Sequence, residues 1–516
     1  MTFKNRVTAV LLTACVAAGI YGIAHNRTEV KWEEETEESD DSLFGHRETL
    51  YLWYTDEALT DYLNSVAVSY NEYQQEARVI PVHSSGSEYL ETINNASLQS
   101  DEVPDLYIVG NDSLEKAYLA GLASEIKMPD ETAGLDSFFP ESSICAITYH
   151  GKQVAYPFYF ETSSFLYNKT YLEEWARTQI EAEMDAAEGE AAQAAIENSG
   201  TSEANETAGS GETAGQELDF ESAVAARIEE TLPKTIDDIL DFADSYVAPE
   251  QVEAVFKWDV SDIFYNYFFV GNYIDVGSRT GDNEESINIY NENAIHCMRV
   301  YQNLNQFFYI DTEESDYANV IQDFIDGKIV YTVVTTDALA KIEEAKKNEE
   351  FQYEYGTSVI PDINSELVSR SLSVTQCVVV NGYSTHKDVA NDFAMFLSCY
   401  NEDNLYDRTG KVPALRGVNF ENSNLDAFVA EYEKSFPEPK MIETSNYWVE
   451  MEIAFERIWS GEDANMELKR LSEKIVTQVR GEQFTEEYID LPDENTGEEI
   501  IEDEYLEEPP DMEIVG

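Results

Sequence analysis

Basic residues are scarce in this sequence of 516 residues. Lysine and arginine together number 32 against 103 aspartates and glutamates, which gives a formal net charge of −71 at pH 7. The phosphates of nucleic acids and the headgroups of anionic lipids repel so acidic a chain. We therefore exclude nucleic acid as a partner and expect no contact with an anionic membrane surface beyond the N-terminus. The charge favours neutral or cationic small ligands.

Cysteine and histidine are also rare, with five and six residues. The cysteines show no C-x-x-C spacing, and the histidines form no H-E-x-x-H motif and no paired metal-binding pattern. Cys145, Cys297, Cys377 and Cys399 have mostly hydrophobic neighbours. We predict buried free thiols rather than a disulfide or a metal site, although an exported protein could form a disulfide. No cofactor is predicted.

A long hydrophobic run occurs at the N-terminus. Lys4 and Arg6 precede residues 7–24, which carry no charge; as a helix, about 18 residues would extend about 27 Å and reach across a bilayer core. Basic residues before the run and acidic residues after it direct the bulk of the chain outward.

Residues 12–15, Leu-Thr-Ala-Cys, also fit the lipobox pattern of bacterial lipoproteins, in which Cys15 would be lipidated. Three interpretations stay open: an uncleaved signal anchor, a lipoprotein, and a cleaved soluble form. We favour the anchor because residues 16–23 stay apolar where lipoproteins usually become polar. The first two interpretations predict a protein on the extracellular face, tethered to a bacterial cell membrane.

Three segments have compositions typical of disorder. Residues 28–46 are highly acidic, residues 178–230 are dominated by Ala, Glu, Gly, Ser and Thr, and residues 481–516 form an acidic tail. Such compositions offer little apolar surface to bury. We predict a disordered tether, an insertion that is disordered or partly helical, and a disordered tail.

The first folded region alternates strands and helices. Strands are predicted at 49–54, 78–83 and 104–109, with helices at 57–74 and 89–100. This order predicts a parallel sheet with helices on its faces, and ligands of such sheets bind beyond the carboxyl ends of the strands. The acids there are Asp56, Glu57 and Asp112. For the first two, an alternative role is a helix N-cap.

Residues 149–169 carry the strongest local pattern. Gly151 and Lys152 predict a turn, and the apolar run that follows is interrupted by Pro157. A strand that meets proline leaves its sheet, and here a second extended segment begins at Phe165. We interpret this as a crossing between two domains, with Glu161 at the cleft between them.

This stretch resembles the hinge of the extracellular solute-binding proteins of ABC importers, in particular the maltose/sugar-binding-like group called family 1. That group shows G-K-x-x-A-Y-P-x-x-x-E followed by L-x-Y-N-K. The matching residues are Gly151, Lys152, Ala155, Tyr156, Pro157, Glu161, Leu166, Tyr167, Asn168 and Lys169. The resemblance covers about 50–476 except the insertion. As an alternative, Glu161 is a hinge salt-bridge partner.

The resemblance implies an α/β, two-lobed periplasmic-binding-protein-like fold of type II. Each lobe would be a mostly parallel sheet flanked by helices, and the chain would cross between the lobes three times. Lobe 1 would comprise 47–160 and 333–380, and lobe 2 would comprise 161–332 and 381–480, with further crossings at 329–335 and 371–381. The implied hinge residues are Pro157, Tyr159, Val334 and Asn381.

The same resemblance implies a ligand shell. Asp112 matches an acid that binds sugar hydroxyls in the group, and ungapped alignment places Asp259 at a sugar-binding glutamate, Phe264 near a pocket aromatic and Trp448 at an aromatic platform. Val109 stands where the group has a tryptophan, so the particular sugar stays open.

The function implied is capture of a small solute in the cleft and its delivery to ABC permease subunits. A sugar or oligosaccharide is the first choice, because carboxylates together with aromatic rings suit neutral polyols. The alternatives are a cationic or peptidic solute, an anchored sensor without transport, and a glycoside hydrolase that uses Glu161 and Asp259. No feature of the sequence supports catalysis, so we predict a binding protein.

Overall fold

The computed structural model describes residues 47–74, 77–84, 86, 88–99, 103–127, 134–198, 213–308, 310, 315–400 and 404–491. The predicted anchor at 7–24 with Cys15, the tether at 28–46 and the tail beyond 491 lie outside the described residues. Among the helices that are described, none has the length and apolar character needed to cross a membrane.

The strands, in chain order, are β1 (Glu48–Tyr54), β2 (Ala77–His83), β3 (Leu106–Gly110), β4 (Thr148–Tyr149), β5 (Lys152–Gln153), β6 (Tyr156–Thr162), β7 (Ser164–Asn168), β8 (Ala254–Phe256), β9 (Ile329–Val334), β10 (Tyr355–Ser358), β11 (Leu372–Val380), β12 (Val412–Pro413) and β13 (Phe436–Pro437).

The α-helices are α1 (Thr60–Tyr73), α2 (Tyr89–Gln99), α3 (Leu114–Leu119), α4 (Glu141–Ile147), α5 (Lys169–Asn198), α6 (Thr213–Thr231), α7 (Ile236–Ser245), α8 (Ile263–Asn266), α9 (Glu292–Phe308), α10 (Tyr317–Ile325), α11 (Asp337–Lys347), α12 (Lys387–Met395), α13 (Leu405–Thr409), α14 (Leu425–Lys434), α15 (Tyr447–Trp459) and α16 (Ala464–Arg480). Short 3₁₀ helices include Glu57–Leu59, Asn111–Ser113 and Ile442–Thr444.

A seven-stranded sheet forms the first lobe. Its order is β12-β6-β11-β3-β1-β2, with β13 beside β11. Strand β1 is parallel to both β2 and β3, as the alternating strand and helix pattern predicts, whereas β11 is antiparallel to β3 and β6. The prediction of parallel strands therefore holds for the N-terminal half of this sheet and fails where later strands join it.

A four-stranded sheet forms the second lobe, in the order β10-β7-β9-β8. Here β8 and β9 are parallel, whereas β7 is antiparallel to both β9 and β10. Both sheets lie in one compact unit that begins at Glu48. The predicted two-lobed α/β fold is confirmed, with mixed rather than mostly parallel sheets.

The first crossing lies at Ser163, between the end of β6 in the large sheet and the start of β7 in the small one. The predicted lobe boundary between 160 and 161 lies close to this point, whereas the predicted exit of the strand from its sheet at Pro157 is wrong. Pro157 lies inside β6 opposite Cys377, where the register shifts, and such a bulge accommodates a residue without a backbone N–H. Tyr159 also lies inside β6, opposite Gln376 and Pro413.

The later crossings also differ from the prediction. Strand β9 remains in the small sheet, where Val334 pairs with Ser164, so the chain returns to the large sheet only between β10 and β11. Its third crossing follows β13. Asn381 is no hinge, because its amide donates to the carbonyl oxygen of Pro104 at 2.7 Å and so fastens the end of β11 within the first lobe.

These crossings change the lobe boundaries. The helices between 387 and 434 group with the first lobe, since α12 packs on β11, α13 on α1 and α14 on β6, although α14 also contacts β7 and β10 of the second lobe. Residues 335–358 belong with the second lobe. The apolar face of a helix predicts that this face is buried, but it does not predict which of the two sheets covers it. The predicted assignment of 381–434 to the second lobe is therefore wrong.

Much of the predicted insertion is helical. Helices α5 and α6 are joined by paired arginine contacts, Arg177 to Glu221 and Arg227 to Glu183, and they bury Ile180, Val224 and Ile228. Of the two alternatives predicted for the insertion, disorder is wrong for 178–198 and 213–230 and the helical one holds there; 199–212 lies outside the described residues.

The start of the predicted tail is also ordered. The backbone N–H of Ile489 donates to the hydroxyl of Tyr290, and its carbonyl accepts from the amide of Asn465. The prediction of disorder is therefore also wrong for residues 482–491. The described cysteines form no disulfide with one another: Cys297, Cys377 and Cys399 are buried, and Cys145 is half-buried.

The lobes also meet at a contact that we call the interlobe bridge, formed by Glu141, His150, Arg279, Asp282 and Lys440. The backbone N–H of His150 donates to Asp282 at 2.6 Å, and Arg279 pairs with Glu141 at 3.2 Å. The buried Lys440 ammonium donates to the carbonyl oxygens of Cys145 and Thr280. Opposite charges and full hydrogen bonding thus hold the lobes together here.

Candidate functional site

A cavity of about 710 Å³ opens where the two lobes face each other. The first lobe and the third crossing contribute Glu161, Leu372, Val374 and Glu438, and the second lobe contributes Asp262, Ile263, Phe264, Tyr265, Tyr317, Thr335, Thr336, Asp337 and Trp448. The size suits a small organic ligand, and both lobes would touch it.

Aromatic rings form one wall of the cavity. Asp262 caps α8 by accepting from the backbone N–H of Phe264, and this cap fixes the start of the helix that carries Phe264 and Tyr265. The ring of Tyr265 stacks on Tyr317 with centroids 4.6 Å apart. Trp448, near the start of α15, is half-buried and lines the same cavity. These rings offer flat apolar faces to a ligand.

Two of the carboxylates in the wall have lysine partners. Lys411 lies 3.4 Å from Glu161 and 2.9 Å from Asp56, so one ammonium is shared by two acids. Asp337 pairs with Lys341 at 2.7 Å and accepts from the hydroxyl of Tyr317. The predicted alternative for Glu161, a salt bridge at the hinge, therefore describes an actual contact.

Glu438 is the acid with the most perturbed environment in the cavity. It follows β13 directly, and the amide of Asn111 donates to its backbone carbonyl at 2.7 Å. Burial and the neighbouring Asp112 raise the pKa of Glu438 to about 8, against a smaller opposite effect of its hydrogen bond with Trp448. Burial also raises the pKa of the neighbouring Asp112.

Asp259 is not part of the cavity wall. It is buried, and its carboxylate accepts from the N–H and hydroxyl of Ser261 and from the N–H of Asp262 and Tyr317. These bonds hold the loop before α8 against the start of α10. The predicted ligand role of Asp259 is therefore replaced by a structural one, and the pair of Glu161 and Asp259 does not face a common substrate.

The remaining predicted acids occupy different positions. Asp56 accepts from the N–H of Ala58, the cap that was its alternative role, and it reaches the site through Lys411. Glu57 is exposed and does not line the cavity. The structure thus brings Glu161, Phe264 and Trp448 into the cavity, places Asp112 beside it and leaves Asp259 and Glu57 out.

The sequence reasoning missed several wall residues: Asp262, Tyr265, Tyr317, Thr335, Asp337 and Glu438. A signal existed for Thr335 and Asp337, because they follow β9, and the carboxyl end of a strand parallel to its neighbour is where ligands bind. No comparable signal marked Glu438, whose position depends on the third crossing.

The arrangement can stack a ligand on aromatic faces and accept hydrogen bonds from it. The described residues contain no group of three or more His, Cys, Asp or Glu side chains placed to hold a metal ion. The chemistry that the site offers is noncovalent recognition by rings, hydroxyls and carboxylates.

Comparisons with known proteins agree with this geometry. The sequence pattern of a family described as "Bacterial extracellular solute-binding protein" matches residues 66–433. No curated protein sequence is similar enough to the chain to count as a match.

Solved structures share the fold. An extracellular solute-binding protein from Staphylococcus aureus in complex with maltose has a TM-score of 0.65 at 18% identity, over 84% of this chain and 98% of that one. A cyclo/maltodextrin-binding protein with maltotetraose gives 0.63 at 16%, over 85% and 98%. The maltose-binding periplasmic protein of Listeria monocytogenes, also with maltose, gives 0.60 at 19%, over 85% and 100%. At these identities the likeness establishes the fold.

Proposed function

The chain belongs to the bacterial extracellular solute-binding protein family, and from that premise we propose that it captures a sugar or oligosaccharide in the cleft between its lobes. We further propose that it delivers this solute to the permease subunits of an ABC importer. The N-terminal segment would tether the protein to the outer face of the cell membrane.

The observation that carries the proposal is the composition of the interlobe cavity. Phe264, Tyr265 and Trp448 supply ring faces, while Glu161, Thr335 and other polar side chains supply hydrogen-bonding groups. A sugar ring has an apolar C–H face and a rim of hydroxyls, so rings and carboxylates recognise its two parts separately. The proteins of the same fold that hold maltose and maltotetraose support this choice.

The two-lobed geometry gives the capture mechanism. A solute that touches Trp448 on the second lobe and Glu161 on the first gains more contacts when the lobes approach each other, so it stabilises the closed state over the open one. The closed state would then present a surface from both lobes to the permease.

We propose binding without catalysis. Hydrolysis of a glycosidic bond needs two carboxyl groups on either side of that bond, and the hydrogen bonds of Asp259 are already made within its own loop. Glu161 is already engaged in an ion pair with Lys411, which it shares with Asp56.

Isothermal titration calorimetry tests the proposal, with maltose, maltotetraose and a panel of other mono- and oligosaccharides as probes. A sugar should bind the full chain, and Trp448→Ala should weaken it about 100-fold because a stacking face is lost. The control is Phe307→Ala, which removes a ring that is 58% exposed and outside the cavity. Equal affinity of the Trp448 variant and the parent protein would contradict the proposed site.

A further inference from the structure

The charge of the cavity wall is unbalanced. Four carboxylates line it, those of Glu161, Asp262, Asp337 and Glu438, and none of the described lining residues is a lysine or arginine. Lysines outside the wall pair with Glu161 and Asp337. Within the described part of the chain, Asp262 and Glu438 have no cationic partner.

Further acids surround these two. Asp112 lies close enough to Glu438 to raise its pKa, and Asp259 does the same for Asp262. Glu452, on the helix that carries Trp448, also has a raised pKa, because of burial and then of its neighbours Asp262 and Asp259. The cleft therefore has a negative potential that no described side chain within it neutralises.

We propose that the solute carries a protonated amine, which binds the carboxylates of Glu438 and Asp262 beside the rings of Phe264 and Trp448. This inference rests on the proposed function and deepens it, since it names the charge of the solute that the same cleft takes.

A protonated amine satisfies both features of the cavity. It donates charge-assisted hydrogen bonds to carboxylates, which are about twice as strong as those between neutral groups. Its positive charge is also attracted to the faces of Trp and Phe rings. A neutral sugar could hydrogen-bond to these acids but would gain nothing from the negative potential, and an anionic solute would be repelled.

Two kinds of solute share this chemistry: an amino sugar, whose hydroxyls would use Thr335 and the paired acids, and an aliphatic polyamine, whose methylenes would lie on the rings. The matched probes are therefore the disaccharide of glucosamine, its N-acetylated form, maltotetraose and spermidine. Acetylation removes the charge and keeps the sugar skeleton.

Calorimetry on the full chain at pH 6.5 compares the four probes. We expect an amine probe to bind at least about 30-fold more tightly than the N-acetylated disaccharide, because the amine forms a charge pair that is shielded from solvent. If spermidine alone binds, the inference holds and the carbohydrate assignment of the proposed function is wrong. If maltotetraose or the N-acetylated disaccharide binds as tightly as either amine, the inference is overturned and the proposed function stands. If no probe binds, both are overturned.

Proton release gives an independent readout. An ammonium beside Glu438 lowers the pKa of that carboxyl, so binding below pH 8 should release protons. The binding enthalpy should then differ between buffers of different ionisation enthalpy. Equal enthalpies would contradict contact between the amine and Glu438.

Isosteric variants locate the amine. Glu438→Gln and Asp262→Asn should each weaken the binding of the amine probe about 30-fold. The matched control is Glu250→Gln, an exposed acid in a turn of the second lobe. Thermal unfolding of each variant checks that it folds; a folded Glu438→Gln variant with unchanged amine affinity would overturn the inference.

Discussion

The lobes of this protein meet in two regions whose polar groups are satisfied in different ways. In the interlobe bridge, Glu141 has Arg279, Asp282 has the N–H of His150, and Lys440 has two carbonyl oxygens. In the cleft, Glu438 and Asp262 have no cation among the described residues. The charged groups of the bridge are thus paired within the protein, whereas these two acids of the cleft can pair with a bound ligand.

The substitution with the largest expected effect, Gly281→Ala, distorts the backbone at the interlobe bridge. Gly281 has φ +64, and a Cβ there would lie 2.7 Å from the Cα of Pro439. We expect Gly281→Ala to lower the free energy of unfolding by about 3 kcal/mol, measured by urea denaturation.

The control for that variant is Gly481→Ala, because Gly481 has φ +68 and open space around it. The backbone strain alone should cost about 1 kcal/mol there. Equal losses in the two variants would show that the close approach to Pro439 contributes nothing.

A second prediction separates structural acids from cleft acids. Asp259→Asn replaces one carboxylate oxygen by an N–H₂ group, so the N–H of Tyr317 or those of Ser261 and Asp262 lose their acceptor. We expect it to lower the free energy of unfolding by about 2 kcal/mol. Asp262→Asn, which affects one backbone bond, should cost less than about 1 kcal/mol. The reverse order in chemical denaturation would contradict this assignment.

A third prediction concerns pH, because the two regions should respond in different windows. The pKa of Glu438 is raised from 4.5 to about 8, so the native state holds this proton more tightly and stability falls as the pH rises between these values. Burial lowers the pKa of Lys440 from 10.5 to about 8, so the unfolded state binds more protons above pH 8 and stability rises through that window.

Melting temperatures of the solute-free protein from pH 5 to pH 10 follow both changes, each of which should alter the free energy of unfolding by about 1 kcal/mol per pH unit within its window. Glu438→Gln should flatten the fall below pH 8, and Lys440→Met should flatten the rise above it. A variant that retains the slope assigned to its own residue would refute that assignment.

The smallest expected effect concerns a substitution that leaves two acids near the cleft without their lysine partner. Lys411→Met removes the cation shared by Asp56 and Glu161. It should tighten the binding of an amine probe about fivefold through the more negative potential. The control is Lys387→Met, at an exposed lysine that begins α12. Weaker amine binding in the Lys411 variant would argue that the lysine itself contacts the solute.

Much of the fold could be predicted from local patterns. The strand and helix periods placed β1 to β3 and their helices, and the run around Gly151 and Pro157 located the first crossing within a few residues. The lobe that receives α12 to α14 could not be predicted, because the choice depends on contacts between segments far apart in the sequence. The pairing of α5 with α6 could not be predicted, because contacts between side chains 44 residues apart hold the two helices together.

The candidate site was predicted in part for similar reasons. Glu161, Phe264 and Trp448 line the cavity as expected, since residue type and position in a known pattern carry over. Asp259 was misassigned because the sequence does not show that its carboxylate accepts hydrogen bonds from nearby backbone N–H groups. Glu438 was missed because only the path of the third crossing brings it opposite Asp112.

The place of Trp448 has a practical consequence. Its indole borders the cavity, while Trp258 and Trp459 are buried in the second lobe. Arrival of a solute should therefore change the polarity around one indole and leave those two undisturbed, so that the emission of the unlabelled protein reports whether the cleft is filled.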